Sequence, residues 1–168
     1  FKNKRVIATL KMDGENSSIY PRYFHARSLD SDDHLSQHWL KNFISRFCFD
    51  IPENWRICGE NLYAKHTIYY HHLESFFLVF SIWNEKNQCL SWDETKKWAE
   101  LLDLKIVPVL YDGLWDENLI RNLHQTKRNG DLCEGYVVRL ADQFEYRDFR
   151  RSVAKYVRKD HVAKTVHN

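Results

Sequence analysis

The stretch ATLKMDGENSSIY, residues 8–20, contains the side chains most suggestive of chemistry. An apolar segment ends on Lys11, and Asp13 and Gly14 follow at once; a turn needs the Asp-Gly pair but not the lysine. A lysine at a strand end can be a nucleophile if a nearby cation or metal favours loss of its proton. Lys155, in VAKYVRKDH, is a candidate for that cation. The residue types alone leave open that Lys11 is a solvated strand-end lysine.

Two glutamates and three histidines are the next candidates. Glu60 in CGEN and Glu134 in CEGY are each flanked by strand-type residues and glycine, an unusual setting for a core carboxylate. The residues alone leave open that each glutamate is a strand-end charge in a salt bridge. His71 and His72 are adjacent, and neighbouring strand residues point to opposite faces. We therefore interpret them, and the more distant His66, as loop or surface residues rather than metal ligands.

Periodicity predicts the elements that position these residues. Residues 4–10 alternate and predict a half-buried strand that ends at Lys11. A turn at Asp13-Gly14 follows, and then two short strands broken at Pro21. Further strands are predicted over residues 55–63, 66–70, 75–83, 105–111, 133–140 and 151–157. Helices are predicted over residues 31–47, after a capping box of Ser91 and Glu94, and over residues 116–125. The predicted apolar side of the first helix has Leu35, Trp39, Phe43 and Phe47, and that of the second has Trp98, Leu101 and Leu102.

Composition limits the class of protein. The 168 residues are 43% hydrophobic and 29% charged, which predicts one soluble globular domain. Strands with intervening helices that do not strictly alternate predict an α+β fold of mainly antiparallel sheets flanked by helices. The net charge of +2 means that any basic surface must be a local patch.

Targeting and cysteine signals point to the inside of the cell. Four widely spaced cysteines without a Cys-x-x-Cys pair argue against a zinc ribbon or a disulfide framework, and indicate a reducing, cytoplasmic setting. No apolar run approaches the ~20 residues that cross a bilayer. The chain starts at Phe1 rather than a methionine, so we expect it to be part of a longer protein.

Six segments resemble, in order, the motifs of the covalent nucleotidyltransferases, which comprise DNA ligases, RNA ligases and mRNA capping enzymes. They are KMDGEN, HARS, CGENLYA, FFLVFSIW, EGYVVR and VAKYVRK, and they extend from Leu10 to about Lys159. Asn16, after the lysine-x-Asp-Gly signature, is similar to the RNA ligase form. The whole pattern resembles the ATP-dependent RNA ligases of the double-strand-sealing phage type. This implies an ATP-grasp-like nucleotidyltransferase domain over residues 1–168.

The resemblance also implies a role for each matching residue. Lys11 attacks the α-phosphate of ATP and becomes lysyl-AMP, while Lys155 contacts that phosphate and helps to deprotonate Lys11. Such phosphoryl transfer needs an in-line nucleophile, charge neutralisation and a metal. The other matches are Leu10 and Asn16 beside the nucleotide, Arg27 at the ribose or a phosphate, and Phe80 stacked on adenine. Glu60 matches a glutamate that contacts the ribose or a metal-bound water, and Glu134 matches a direct ligand, so both are expected at the Mg²⁺ or Mn²⁺ site.

Two parts of the match are ambiguous. Phe77 lies in the same predicted strand as Phe80, in another register, and ranks second for the adenine contact. The family pattern has two lysines separated by one residue, whereas this chain has Lys155 alone, with valine at that spacing on either side. Arg158 or Lys159 could supply the missing charge.

The sequence therefore predicts an RNA ligase that activates a 5′-phosphate with AMP and joins it to a 3′-hydroxyl. Its predicted partner is RNA with nicked or broken ends, and we expect a monomer with no membrane contact. A basic cluster would hold the RNA backbone; its members are Arg147, Arg150, Arg151, Lys155, Arg158, Lys159 and Lys164. Alternatives are a DNA ligase, a GTP-using capping enzyme, or a non-catalytic nucleic-acid-binding module that has kept the fold.

Overall fold

A computed structural model describes residues 1–26, 34–63, 68 and 70–159. In chain order the elements are β1 (Arg5–Lys11), β2 (Glu15–Ile19), β3 (Phe24–Ala26), α1 (His34–Ile44), β4 (Arg56–Asn61), β5 (Phe77–Trp83), β6 (Gln88–Cys89), α2 (Trp92–Leu101), β7 (Lys105–Ile106), β8 (Val109–Leu114), α3 (Glu117–Arg121), β9 (Lys127–Arg128), β10 (Asp131–Leu132), β11 (Gly135–Leu140), β12 (Phe144–Glu145), α4 (Phe149–Ser152) and β13 (Val153–Val157). Short 3-10 helices cover Cys48–Asp50 and Tyr146–Asp148. The predicted α+β class with mainly antiparallel sheets is confirmed.

Two sheets dominate the fold, and the chain crosses between them four times, because β12 of the second sheet lies in the chain between β11 and β13 of the first. The first sheet has the order β13-β11-β1-β8, and the second has the order β12-β6-β5-β4-β2-β3, with β7 added in parallel to β5. The chain leaves the first sheet after Lys11 and returns to it at Pro108. These first two crossings touch, because the backbone N–H of Leu10 donates to the carbonyl of Pro108 at 2.9 Å.

The second crossing corrects the single strand predicted over residues 105–111. That segment is two strands, β7 on the second sheet and β8 on the first. Val107 still donates its N–H to Val79 in the second sheet, at 3.0 Å. Pro108 has no N–H with which to continue the ladder. The strand therefore ends there, and the chain changes sheet.

The hydrophobic core lies mainly between the helices and the second sheet. Leu40 and Ile44 of α1 and Ala99 of α2 pack with Phe77 and Val79 of β5 in one buried cluster. The opposite face of the second sheet is turned towards the first sheet, where Leu78 packs with Ile7 in a second cluster. The functional residues discussed below lie between the two sheets.

Most of the predicted apolar faces of the helices are confirmed, because Phe47 and Leu102 are buried in the core and Trp39, Phe43 and Trp98 pack against it. Leu35 is 74% exposed and Leu101 is 73% exposed, so neither belongs to a buried face. The most deeply buried residues of α1 are Ser36, Leu40 and Ile44, each one position after a predicted residue. Ser36 can be buried because its hydroxyl accepts a hydrogen bond from the Asn61 amide at 2.9 Å.

Other boundaries were predicted with mixed success. The cap of α2 is confirmed, because the Ser91 hydroxyl accepts the N–H of Glu94 at 3.2 Å. The third helix ends at Arg121 rather than at residue 125. Of the strand predicted at residues 66–70, the described residues 68 and 70 lie outside any strand, and the rest fall outside the described part of the chain. Within the described residues, no helix is both long and apolar enough to cross a membrane.

Candidate active site

A cavity of about 980 Å³ opens between the two sheets. Its walls come from β1, β11 and β13 of the first sheet and from β2, β4 and β5 of the second. Leu10 and Lys11 lie at the end of β1, where the chain crosses from one sheet to the other. The volume is within the range of small-molecule and cofactor sites. The crossing thus presents the lysine to a ligand-sized space.

Lys11 forms an ion pair with Glu134 in the cavity wall. The Lys11 Nζ donates to Glu134 Oε1 at 2.5 Å, and the two side chains are 25% and 6% exposed. Register explains the contact, because Lys11 is paired with Gly135, the residue after Glu134. A Cβ on Gly135 would lie 1.8 Å from the carbonyl oxygen of Tyr156, so the glycine allows β13 to approach β11. The carboxylate is therefore held beside the lysine by backbone pairing.

The segment after Lys11 is not the tight turn that the Asp-Gly pair predicts. It is an open bend that joins strands of different sheets, and Gly14 does not have a positive φ. The glycine is needed for space instead. A Cβ there would lie 2.6 Å from the carbonyl oxygen of Asn61 and 2.9 Å from Cγ of Glu60. Gly14 thus lets the lysine segment lie against β4.

Glu60 faces the cavity from β4, opposite Asn16 of β2, and both residues line the cavity. The backbone N–H of Gly14 donates to Glu60 Oε1 at 3.2 Å. Burial raises the pKa of Glu60 to about 7, although the charge of Lys11 and the Gly14 N–H both favour the carboxylate. The carboxylates of Glu60 and Glu134 repel each other weakly across the site. The site therefore contains two acidic groups close to one lysine.

Asp13 and Tyr70 connect the lysine segment to the loop before β5. The backbone N–H of Asp13 donates to Tyr70 Oη at 2.7 Å, and Asp13 Oδ2 accepts the N–H of Ile68 at 2.9 Å. Tyr70 is a residue that the sequence analysis missed. The sequence placed it only at the end of the strand predicted over residues 66–70 and gave no sign that it contacts the lysine segment.

Phe80 lies on the face of β5 that is turned towards the first sheet, as does Leu78 two residues before it. The pairing of β4 with β5 skips Phe80, since successive residues of β4 face Val79 and Ser81. A bulge interrupts the alternation of side chains, and Phe80 and Ser81 both line the cavity. Phe77, the second-ranked candidate, is fully buried in the core beneath the helices. The geometry brings Phe80, rather than Phe77, to the site.

Lys155 and Arg150 line the cavity from its β13 side. Lys155 is exposed and is paired in register with Val137 of β11. Neither Arg158 nor Lys159 is among the described residues that line the cavity. The sequence analysis named Arg150 only as part of a basic cluster, because the short helix α4 that carries it was not predicted.

The rest of the predicted basic cluster is dispersed. Arg151 lies away from the cavity and pairs with Asp148 at 2.5 Å. Arg147 and Lys159 are exposed. Arg27, Lys164 and His66 lie outside the described residues. His71 and His72 are exposed, as interpreted from the sequence, and His71 pairs with Asp131, whose pKa is lowered by that hydrogen bond.

Glu60 and Glu134 supply oxygen donors of the kind that Mg²⁺ and Mn²⁺ prefer. Among the described residues, no group of three or more His, Cys, Asp or Glu side chains is arranged to hold a metal ion. Mg²⁺ commonly uses one or two carboxylates and completes its shell with water and substrate phosphates. The donor set therefore fits a metal that arrives with a nucleotide rather than one held in a protein-only cage.

Comparisons with known proteins show the family of this chain. A family model described as RNA ligase matches residues 4–157. No curated protein matches the chain.

Similar solved structures include three of Naegleria gruberi RNA ligase. A mutant with ATP and Mn has a TM-score of 0.59 at 18% identity, covering 84% of this chain and 47% of that one. A mutant with AMP and Mn has a TM-score of 0.61 at 17% identity, covering 93% and 50%. The ligase with PPi has a TM-score of 0.61 at 18% identity, also covering 93% and 50%.

At these identities the structural likeness shows the fold alone. The chain spans about half the length of the solved ligases that it matches. The family model, by contrast, matches most of this chain, from residue 4 to residue 157. With Lys11, Glu60 and Glu134 meeting in one cavity between the two sheets, the chain belongs to the RNA ligase family.

Proposed function

We propose that this chain is the adenylyltransferase domain of an ATP-dependent RNA ligase, with Lys11 as its nucleophile. The observation that carries the proposal is the position of Lys11 Nζ, in the wall of a nucleotide-sized cavity and 2.5 Å from the buried carboxylate of Glu134. A solvated strand-end lysine needs no such partner. The family membership and the Mn-bound ATP and AMP structures of similar ligases support the same reading.

In the first step, Lys11 Nζ attacks the α-phosphate of ATP. A P–N bond to AMP forms, the bond to pyrophosphate breaks, and Nζ loses a proton. AMP then passes to the 5′-phosphate of a broken RNA, and a 3′-hydroxyl displaces AMP to close the strand. Lys11 must be uncharged to attack. Glu134 Oε1 is hydrogen-bonded to the ammonium and orients Nζ along the cavity wall.

The other cavity residues have matching roles in this proposal. Phe80 stacks on adenine, as aromatic rings do on planar bases. Asn16 lies beside the triphosphate, and Leu10 lies beside the nucleoside. Glu60 and Glu134 would hold Mg²⁺ or Mn²⁺, which neutralises charge on the phosphate oxygens when bound. Arg27 is proposed for the ribose or a phosphate on the resemblance alone.

RNA is proposed to enter at the β13 side of the cavity. Lys155 and Arg150 line that side, and Phe149 beside them is 43% exposed. Cations that contact phosphates and aromatic rings that stack on bases are the usual means of holding single-stranded RNA. A single adenylyltransferase domain over residues 1–168, acting as a cytoplasmic monomer, is part of the same proposal.

A non-catalytic RNA-binding module is the second candidate. It is favoured by β13, where the residue two positions after Lys155 is Val157 rather than a second lysine. Fewer cations at the α-phosphate would weaken charge neutralisation. This candidate predicts RNA binding without a covalent nucleotide.

The test is the intact mass of the chain after incubation with ATP and Mg²⁺ or Mn²⁺. We expect a gain of one AMP in the unmodified chain and no gain in Lys11→Ala. Lys41→Ala, which removes an exposed lysine of α1, should gain AMP normally. No gain in the unmodified chain with either metal would contradict the proposal, and RNA binding in that case would favour the second candidate.

Two further assays distinguish an RNA ligase from a capping enzyme and from a DNA ligase. Labelled GTP in place of ATP distinguishes a capping enzyme, for which GTP should form the stronger adduct. Nicked duplexes with RNA or DNA on the 3′-hydroxyl side distinguish RNA ligases from DNA ligases. We expect preference for ATP and for an RNA 3′-hydroxyl.

A further inference from the structure

Arg139 is a buried arginine in the cavity wall. It lies on β11, is 5% exposed, and lines the same cavity as Lys11. Its Nε donates to the carbonyl of Leu140 at 2.9 Å and its Nη2 to the carbonyl of Leu90 at 2.7 Å. Its Nη1 is shielded from water and has no hydrogen-bond partner among the described residues. The sequence analysis quoted Arg139 within EGYVVR but assigned it no role.

The charge of Arg139 is not balanced by any carboxylate in the described part of the chain. The nearby thiol of Cys89 offers only weak compensation, since burial raises the pKa of Cys89 to about 11 and keeps it neutral. The guanidinium carbon lies 5.7 Å from the Trp92 ring centre and 5.3 Å from that of Phe144. A buried donor without a partner is destabilising. A ligand that enters the cavity can supply the missing acceptor.

Strand register places Arg139 at the end of the cavity away from Lys11. Gly135, Val137 and Arg139 share one face of β11, and Lys11 is paired with Gly135. Arg139 is four residues further along, which is about 13 Å at the usual strand rise. The cavity wall there also includes Trp83 and Phe144, so it is apolar and aromatic. A nucleotide with its α-phosphate at Lys11 would place its base, the group furthest from that phosphate, in this end.

We infer that Arg139 recognises the nucleotide base by donating an N–H to one of its ring nitrogens. An arginine carries only donors, so it selects acceptor atoms of the base and cannot pair with an exocyclic amino group. The rings on either side of the guanidinium hold its plane in one orientation. The inference rests on the proposed function, because it takes the ligand to be the nucleotide that reacts with Lys11.

The test combines an arginine variant with single-atom analogues of ATP. Arg139→Met keeps a long apolar side chain but removes the donors. We expect its KM for ATP in lysyl-AMP formation to rise about tenfold, with a smaller change in kcat. One of 1-deaza-, 3-deaza- and 7-deaza-ATP, each lacking one ring nitrogen, should show a similar rise with the unmodified chain. Arg139→Met should not distinguish that analogue from ATP.

The matched control is Arg46→Met, which removes an exposed arginine stacked 5.7 Å over Phe43, outside the cavity. It should keep the KM and the analogue preference of the unmodified chain. The analogue series on the unmodified chain tests the inference even if Arg139→Met folds poorly. Equal KM values for ATP and all three analogues, or a normal KM in Arg139→Met, would overturn the inference while leaving the proposed function intact. No adduct in the unmodified chain would instead overturn the proposed function.

Discussion

Replacing Glu60 with glutamine should stabilise the chain at alkaline pH and change it little in acid. The ordinary pKa of this group is 4.5, and burial raises it to about 7 in the folded chain. Between these values the folded chain holds a proton that the unfolded chain has released, so stability falls as pH rises. At about 1.4 kcal/mol for each pH unit between the two values, the full penalty is about 3 kcal/mol above pH 7.

Glutamine is neutral at every pH and keeps an oxygen that can accept the Gly14 N–H. The free energy of unfolding of Glu60→Gln should therefore exceed that of the unmodified chain by about 3 kcal/mol at pH 8 and by about 1 kcal/mol at pH 5. Urea unfolding without nucleotide or metal measures both values. With ordinary urea sensitivity, the midpoint at pH 8 should rise by roughly 1 M or more.

Glu100→Gln is the control, because Glu100 is an exposed glutamate on α2. It should change the free energy of unfolding by less than about 0.5 kcal/mol at either pH. The reasoning is refuted if Glu60→Gln shifts stability equally at pH 5 and pH 8, or if it is less stable than the unmodified chain at pH 8. Either result would mean that Glu60 ionises without a burial penalty.

Three more substitutions test the geometry of the site. Gly14→Ala should destabilise the chain by about 1–3 kcal/mol and slow lysyl-AMP formation, since its Cβ would meet the Asn61 carbonyl at 2.6 Å; thermal unfolding and adduct kinetics measure this, and normal values for both would contradict it. Phe80→Ala should raise the KM for ATP about tenfold by removing the ring beneath adenine, and an unchanged KM would exclude stacking there. Tyr70→Phe should lower kcat for adduct formation with little change in KM, because it removes the oxygen that accepts the Asp13 N–H; a change in KM alone would argue against a positioning role.

Much of the fold follows from local patterns in the sequence. Alternation located β1, although residues 6–9 are buried on both faces rather than on one as predicted. The long apolar run located β5, because a strand buried on both faces is apolar throughout. The Ser91 cap located the start of α2 through a contact three residues apart. Sequence patterns failed to predict burial where contacts between distant residues determine it. Leu35 is apolar yet exposed, while Ser36 is polar yet buried, because the Asn61 amide satisfies its hydroxyl across the chain.

The candidate site shows the same division. The resemblance of short motifs to the covalent nucleotidyltransferases singled out Lys11, Asn16, Glu60, Phe80, Glu134 and Lys155, and the structure brings all of them to the walls of one cavity. Their roles remain predictions. Phe77 and Phe80 lie on opposite faces of β5, and the choice of Phe80 depends on which face is turned towards the first sheet, a matter of packing between residues distant in sequence.

The sequence by itself determined the residue types, their order and most of the strands, since these depend on local periodicity and on short motifs. Only the tertiary structure decided which side chains meet. The Lys11–Glu134 pair joins residues 123 positions apart through the register of β1 with β11. The buried, unbalanced charge of Arg139 and the raised pKa of Glu60 likewise exist only when two sheets exclude water from the space between them. Local sequence cannot encode a desolvation that distant strands impose.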